Sequence, residues 1–441
     1  MKLSKYFRKM LLPSGNYAIY NMLSMKPIIV SSEELLQIEE MAIGASIEVD
    51  NLLHTGIYVL DDDVDNRALN ELQHNVESRF GEINVVYFIL TNACNLRCTY
   101  CAVKNIADKN AIKCTDYLQK SEYKKFIREY IAYAKSHCIL DPEFIFYGGE
   151  PLLNWDALVD IVETFEELSK GEFDPKFTIV TNGTLLTNDK VVFCKEHQIN
   201  IGLSVDGPLD ITNKARKTSK GEGAYSFILQ ALELLKKHES VPSLSITISE
   251  EVLQNQPEVM DWLETMYTDY HIKDISYNLL HFQGLDFDKD KYYKEASAFI
   301  INSYQKLGDI ISDSRINRKI QALTSSTFFY GDCAAITGNQ IVLKANGEIS
   351  LCQAFCQSNE TTVGNIKNCN LGEIIETAAV PTLQKYKQFM PVFRSSCQDC
   401  ESIFACGGGC YWETDNGTHC DTGFCQYSKI MHNWMLSCLD E

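Results

Sequence analysis

Between residues 82 and 280, short apolar runs alternate with segments whose apolar residues recur at helical spacing. Six runs, at 84–90, 143–147, 176–181, 199–205, 244–249 and 274–280, read as strands. The segments between them carry stripes such as Tyr123, Phe126, Ile127, Tyr130 and Ile131, then Leu158, Ile161, Val162 and Phe165, then Ile228, Leu229, Leu232 and Leu235. Each stripe is one face of an amphipathic helix. Strand and helix in alternation predict parallel βα units, an α/β fold class. The first 80 residues have another texture. Two short strands at 17–20 and 27–30, a helix at 33–41 entered through a capping box of Ser31 and Glu34, a helix end at 52–53 and a third strand before Leu60 predict a small winged-helix-like module. Beyond about residue 325 the pattern turns irregular and rich in cysteine, so three units are expected: 1–80, 81–324 and 325–441.

Composition narrows the classes. A chain of 441 residues, 45% hydrophobic, exceeds one typical domain and can bury a substantial core. No run of about 18 apolar residues is present, so no membrane span is expected. A formal net charge of -19 argues against general nucleic-acid affinity, which needs clustered Lys and Arg. The start runs the other way, with Lys2, Lys5, Arg8, Lys9 and Lys26 and no acid before Glu33, a patch that suits an acidic partner or is merely solvated. Seventeen cysteines without a signal peptide point to reduced thiols in the cytoplasm.

Candidate chemistry collects at the carboxyl ends of the first four strands. Cys94, Cys98 and Cys101 follow the first, Gly148, Gly149 and Glu150 the second, Asn182 the third, and Ser204 and Asp206 the fourth. In βα architectures that edge carries the active site. Each iron of a four-iron cubane normally takes one thiolate, so a three-Cys loop leaves one iron open to a substrate or cofactor. The bland alternative is three thiols on one face of a buried helix. Eleven of the seventeen cysteines lie in the last third, with Cys397, Cys400, Cys406 and Cys410 spaced around Gly407, Gly408 and Gly409. Thiolate-rich sites of this kind hold zinc or iron-sulfur clusters.

With these residues in view, the chain resembles the radical SAM superfamily, in which Cys-x3-Cys-x2-Cys holds a 4Fe-4S cluster and S-adenosylmethionine chelates the open iron. Tyr100 before the last of the three cysteines and the Gly-Gly-Glu-Pro after the second strand carry the likeness. It implies a partial (βα)6 barrel in which Gly148, Gly149 and Glu150 hold the amino group of the methionyl part. Ser204 and Asp206 would face the ribose or the methionyl group, Asn182 would line the same pocket, and Arg216 would pair with the carboxylate. Thr212 and Asn213 stand where the family often has His-Asp. The C-terminal part is similar to a SPASM domain, on Cys333, Gly347-x4-Cys352, the Cys397 to Cys410 group, a final Cys and Val363-Gly364-Asn365-Ile366. That likeness implies two auxiliary 4Fe-4S clusters: a nearer one on Cys333, Cys352 and Cys410, and a farther one on Cys397, Cys400, Cys406 and Cys425. Cys420 rivals Cys425, and the nearer cluster's fourth ligand is Cys356, a substrate group or none. Cys114, Cys138, Cys194, Cys369 and Cys438 are expected to be ordinary thiols.

The resemblance implies an enzyme of the subgroup that modifies ribosomally made peptides, a RiPP maturase. Its partners would be a precursor peptide with its leader, met by the N-terminal module, and an electron donor such as flavodoxin or ferredoxin. A crosslink, thioether or carbon-carbon, is the expected product, with no catalytic side chain assigned beyond the cluster ligands. Two alternatives stand beside it: an anaerobic sulfatase-maturating enzyme that forms formylglycine, and a zinc- or cluster-stabilised binding protein with no activity.

Overall fold

A computed structural model describes residues 1–40, 49–109, 115–281, 288–325, 328–354, 359–414, 417 and 420–440. The N-terminal part contributes β1 (Lys2–Leu3), β2 (Phe7–Leu11), β3 (Tyr17–Asn21), β4 (Ile28–Val30) and β5 (Tyr58–Val59). The middle supplies β6 (Val85–Thr91), β7 (Glu143–Gly148), β8 (Lys176–Thr181), β9 (Asn200–Ser204), β10 (Ser243–Thr247) and β11 (Ile275–Asn278). The C-terminal part adds β12 (Gln340–Leu343), β13 (Glu348–Ser350) and β14 (Thr362–Asn365).

The six strands β6 to β11 pair in parallel and in chain order, so their carboxyl ends share one edge. Alternate residues of each strand face opposite sides. On one side Val86, Phe88, Leu90, Phe144, Phe146, Phe177 and Ile179 are buried in a core shared with the helices Lys120–Ser136 and Trp155–Ser169. Phe88 meets Phe126 edge-on at 5.5 Å, and Phe144 meets Phe165 at 4.6 Å. On the other side Tyr87 and Tyr147 meet edge-on at 5.9 Å beside Ile89 and Val342.

The sheet has nine strands rather than six, because β12 pairs in parallel with β6 and is followed by antiparallel β13 and β14. Runs this short carry too little periodicity to be read from sequence. Their pairing places Cys333, which precedes β12, and Cys352, which follows β13, beside the barrel. The helices Lys289–Leu307 and Thr422–Ser437 pack together as well, with Tyr293 on Phe424 at 5.9 Å and Tyr304 on Trp434 at 5.5 Å.

In the N-terminal part β3 lies between β2 and β4 in an antiparallel sheet, while β5 pairs with β1 and stays outside it. The strand β2 was not expected, because Arg8 and Lys9 at its centre read as part of a solvated basic patch. The capping box forms as expected: Ser31 Oγ accepts from the Glu34 N–H at 3.2 Å and Glu34 Oε2 from the Ser31 N–H at 2.8 Å, starting the helix Ser32–Glu39. The expected end of that helix at Met41 lies outside the described residues. One face of the sheet, with Ile19 and Val30, packs on Leu35 and Ile38. The other packs on the C-terminal part, where Tyr20 Oη and His432 Nε2 are 3.0 Å apart and Arg8 Nη2 donates to the Asp399 carbonyl at 3.0 Å. The basic patch is therefore paired within the chain: Lys2 with Asp62, Lys5 with Asn66 at 2.9 Å, and Lys9 with Glu39 at 2.6 Å. Among the described residues no helix is long and apolar enough to cross a membrane.

Candidate functional site

The loop that leaves β6 carries Cys94, Cys98 and Cys101 and is pinned on two sides. Arg97 N–H donates to the Lys217 carbonyl at 2.6 Å and Thr99 N–H to the Ala215 carbonyl at 3.0 Å. On the opposite side Gly149 N–H donates to Thr91 O and Glu150 N–H to Ala93 O, both at 2.9 Å. This approach requires glycine. A Cβ on Gly148, whose φ is +133°, would stand 2.2 Å from Thr91 O, and one on Gly149 2.1 Å from Ala93 O. Tethered this way, the three thiols belong to a loop rather than to a helix face, which removes the bland alternative.

Glu150 is buried, and its carboxylate accepts from Thr181 Oγ1 at 2.6 Å, the Asn182 N–H at 2.9 Å and the Leu152 N–H at 3.1 Å. Burial raises its pKa, and these bonds oppose the rise. The side chain therefore fastens β7 to the end of β8, and the expectation that it meets a ligand amine is revised. Asn182 Nδ2 donates to Asn95 Oδ1 at 3.0 Å, while Asn95 Nδ2 donates to Thr184 Oγ1 at 2.7 Å. Asn95 thus ties the three-Cys loop to β8; the sequence alone does not single it out.

Ser204 is half-buried at the end of β9. Asp206 is fully buried and accepts from Arg216 Nε at 2.9 Å, Arg216 Nη2 at 3.0 Å, Tyr100 Oη at 2.5 Å and the Thr247 N–H at 3.1 Å. A bidentate fork on a carboxylate is the strongest pairing the guanidinium can make. Two nitrogens of Arg216 are therefore committed to Asp206 rather than to an incoming carboxylate, and Asp206 does not face outward. The pair instead braces the cysteine loop, since Arg216 lies over the Tyr100 ring at 5.5 Å. Burial pushes the Cys94 thiol up to about 12 and the Cys98 thiol up to about 11, the latter opposed by Arg216.

In the C-terminal part Cys397, Cys400, Cys406 and Cys425 line one cavity with Pro391, Ile403 and Phe424. Cys425 reaches it from the first turn of Thr422–Ser437, a helix capped by Asp421. Cys420 is hydrogen-bonded by Arg394 Nη1 at 2.9 Å, with Ser396 Oγ at 3.4 Å, and stands next to the Cys397 thiol. Burial would raise its pKa, but those hydrogen bonds outweigh it and the thiol is pushed down. A second group brings Cys352 against Cys410, with Cys333 pushed up to about 11 by burial and then by Cys410. The loops bearing Cys333 and Cys406 touch: a Cβ on Gly407, whose φ is +71°, would stand 2.7 Å from Gly331 Cα. Cys356 and Cys114 lie outside the described residues. Among the described residues no three His, Cys, Asp or Glu side chains converge closely enough to grip one metal ion. The donors in both groups are thiols, the ligand type that iron-sulfur clusters take.

Known proteins resemble this chain in both sequence and fold. Residues 88–263 match the Radical SAM superfamily. The cysteine-type anaerobic sulfatase-maturating enzyme of Clostridium perfringens is 24% identical over 342 residues, 73% of this chain and 86% of that protein. The radical SAM cyclopropyl synthase TigE of Paramaledivibacter caminithermalis is 22% identical over 385 residues, 79% of this chain and 73% of that protein. Among solved structures, anSMEcpe with bound AdoMet superposes with a TM-score of 0.67 at 21% identity, over 81% of this chain and 98% of that one. Streptococcus suis SuiB bound to precursor peptide SuiA superposes with a TM-score of 0.56 at 14% identity, over 96% of this chain and 99% of that one. Residues 88–263 are thus a radical SAM domain, the unit shared by a superfamily of enzymes that use a 4Fe-4S cluster and S-adenosylmethionine.

Proposed function

We propose that the protein is a peptide maturase that abstracts hydrogen from a ribosomally made precursor and installs a thioether or carbon-carbon crosslink. The observation that carries this reading is the three-Cys loop, clamped between the Gly148-Gly149 segment and residues 215–217 at the carboxyl edge of the barrel. When bound there, a 4Fe-4S cluster with S-adenosylmethionine supplies the 5'-deoxyadenosyl radical that takes the hydrogen. Cys94, Cys98 and Cys101 are its three protein ligands in this reading. Gly148 and Gly149 let main chain approach the methionyl part, Asn182 and Ser204 line its pocket, and Glu150, Asp206, Arg216 and Tyr100 hold the walls in place. Cys333, Cys352 and Cys410 hold a nearer auxiliary cluster, and the cavity of Cys397, Cys400, Cys406 and Cys425 a farther one. Cys425 lines that cavity directly, whereas the Cys420 sulfur is engaged by Arg394, which supports the choice of Cys425.

The units 1–80, 81–324 and 325–441 are then recognition, radical chemistry and electron exit. A leader adds as a strand at an outer edge of the N-terminal sheet, β4 or β2, because β3 is paired on both sides. Main-chain hydrogen bonds rather than the internally paired lysines supply its affinity. A flavodoxin or ferredoxin in the cytoplasm delivers the electron. Peptide maturation is favoured over sulfatase maturation by coverage: anSMEcpe leaves about a fifth of this chain without a counterpart, whereas SuiB accounts for nearly all of it. The test is anaerobic reconstitution followed by iron counting and by mass analysis of a co-expressed candidate precursor. About twelve irons, three cubanes of four, and a product lacking two hydrogens, which fragmentation places across two linked residues rather than on one Ser, are expected. Stoichiometric zinc with about four irons, or conversion of a Cys or Ser to formylglycine, overturns the reading.

A further inference from the structure

Just beyond β11, at the mouth of the barrel, stands His281, a residue with no part in the site described so far. Its Nδ1 is buried and lies 3.5 Å from Glu413 Oε1, and its ring is hydrogen-bonded to the Cys410 thiol. Glu413 belongs to the short 3-10 turn Tyr411–Glu413 that leaves Cys410, with its own N–H donating back to the Cys410 carbonyl at 3.2 Å. Its carboxylate is 4% exposed and has Lys289 Nζ at 3.8 Å on its other side. A buried carboxylate, an imidazole and a thiol therefore stand in series, and the imidazole comes from the barrel rather than from the cysteine-rich part.

We propose that His281, oriented by Glu413, is a positioning residue that donates a hydrogen bond to the Cys410 thiolate and raises the reduction potential of the nearer auxiliary cluster. This rests on the reading that Cys410 is a ligand of that cluster. Carboxylate–histidine pairs orient metal ligands in the same manner elsewhere, and hydrogen bonds to cluster sulfurs stabilise the reduced, more negative state. Such a donor favours transfer of an electron into this cluster from a substrate radical at the barrel mouth.

The experiment compares wild type, His281→Ala and His281→Gln after anaerobic reconstitution. It uses iron and sulfide counts, thermal melting and a redox titration followed by electron paramagnetic resonance. The nearer cluster's signal is identified by its loss in Cys410→Ala. His281→Ala is expected to keep its iron while the reduced-to-oxidised ratio of that signal at fixed potential falls about tenfold, 59 mV for one electron. His281→Gln, whose amide also donates, recovers part of the loss. Equal midpoints in all three proteins overturn the inference and leave Cys410 as a ligand. Loss of about four irons in His281→Ala overturns it too, since the ring is then a ligand or a prop. Absence of any Cys410-dependent signal in the wild type sinks the cluster assignment instead.

Discussion

Replacing Gly149 by alanine tests the central claim, that the three-Cys loop is held by close backbone approach. The new methyl would lie 2.1 Å from Ala93 O, 2.5 Å from Ala93 C and 2.9 Å from Asn92 O. All three atoms are main chain, so no rotamer change relieves the clash. Ordinary contact needs about 3.5 Å, so the segments must part by roughly 1.4 Å. That separation breaks the hydrogen bonds from Gly149 N–H to Thr91 O and from Glu150 N–H to Ala93 O. Two such bonds at about 1 kcal/mol each and overpacking of about 1–3 kcal/mol give a local cost of about 3–5 kcal/mol. A fold stable by about 5–15 kcal/mol survives that, but the strain falls on the loop of Cys94. The expected variant is folded by circular dichroism, keeps about eight of about twelve irons, and releases no 5'-deoxyadenosine. Gly171→Ala is the control: its φ is +74° with nothing within 4 Å, so it carries backbone strain of about 1 kcal/mol without touching a cysteine. Full iron content and undiminished 5'-deoxyadenosine release in Gly149→Ala would refute the reasoning.

Glu150→Gln turns an amide N–H2 toward one of three donors and costs about 1–3 kcal/mol. Equilibrium binding should show weakened S-adenosylmethionine affinity at unchanged iron content, and wild-type affinity would mean that the carboxylate does not set the pocket. The buried thiols predict a pH dependence of the cluster-free protein. Cys94 rises from its ordinary 9.0 to about 12, so the folded chain holds a proton that the unfolded chain releases. Its contribution is fully present below pH 9 and is lost as pH rises from there through about 12. Denaturant unfolding should show stability falling over that window for cluster-free protein and less steeply for reconstituted protein, whose ligands have already lost their protons. Parallel curves would contradict this.

Much of the barrel was legible because its signals are local. Each of β6 to β11 overlaps one of the six apolar runs, with ends that differ by a residue or two, and the polar residues at their carboxyl ends mark one edge. What escaped was long-range pairing of short segments. The strand β12 is four residues of a nine-stranded sheet and shows itself only through register with Val85 to Phe88. The site was legible in membership and less so in role. Glu150, Asp206 and Arg216 were picked out as ligand contacts, yet their buried partners make them braces. Residue type and spacing declare that a carboxylate and a guanidinium stand near a site, but which of them satisfies the other is decided by burial, where an unpaired charge costs far more than a paired one. Asn95 shows the converse, a polar loop residue with no signal of its own until its amide is seen crossing to Asn182 and Thr184.

The N-terminal sheet changes how recognition and chemistry can be separated. One of its faces is closed by its own helix and the other by the C-terminal part, with Tyr20 on His432 and Arg8 on the loop between Cys397 and Cys400. Tyr20, Met22 and Met25 are buried in the same core as Phe404, Tyr427 and Met431. Removing residues 1–80 would therefore uncover apolar surface at about 25 cal/mol per Å2 and strip support from both elements that bring Cys400 and Cys425 to their cavity. Such a truncation would lose farther-group iron and leader binding together, for one structural reason. A perturbation confined to the outer edge of β4, which has no partner strand among the described residues and where Ile29 is 40% exposed, leaves both faces closed. Peptide recognition and electron exit share a wall in this chain, and only an edge substitution addresses the first without opening the second.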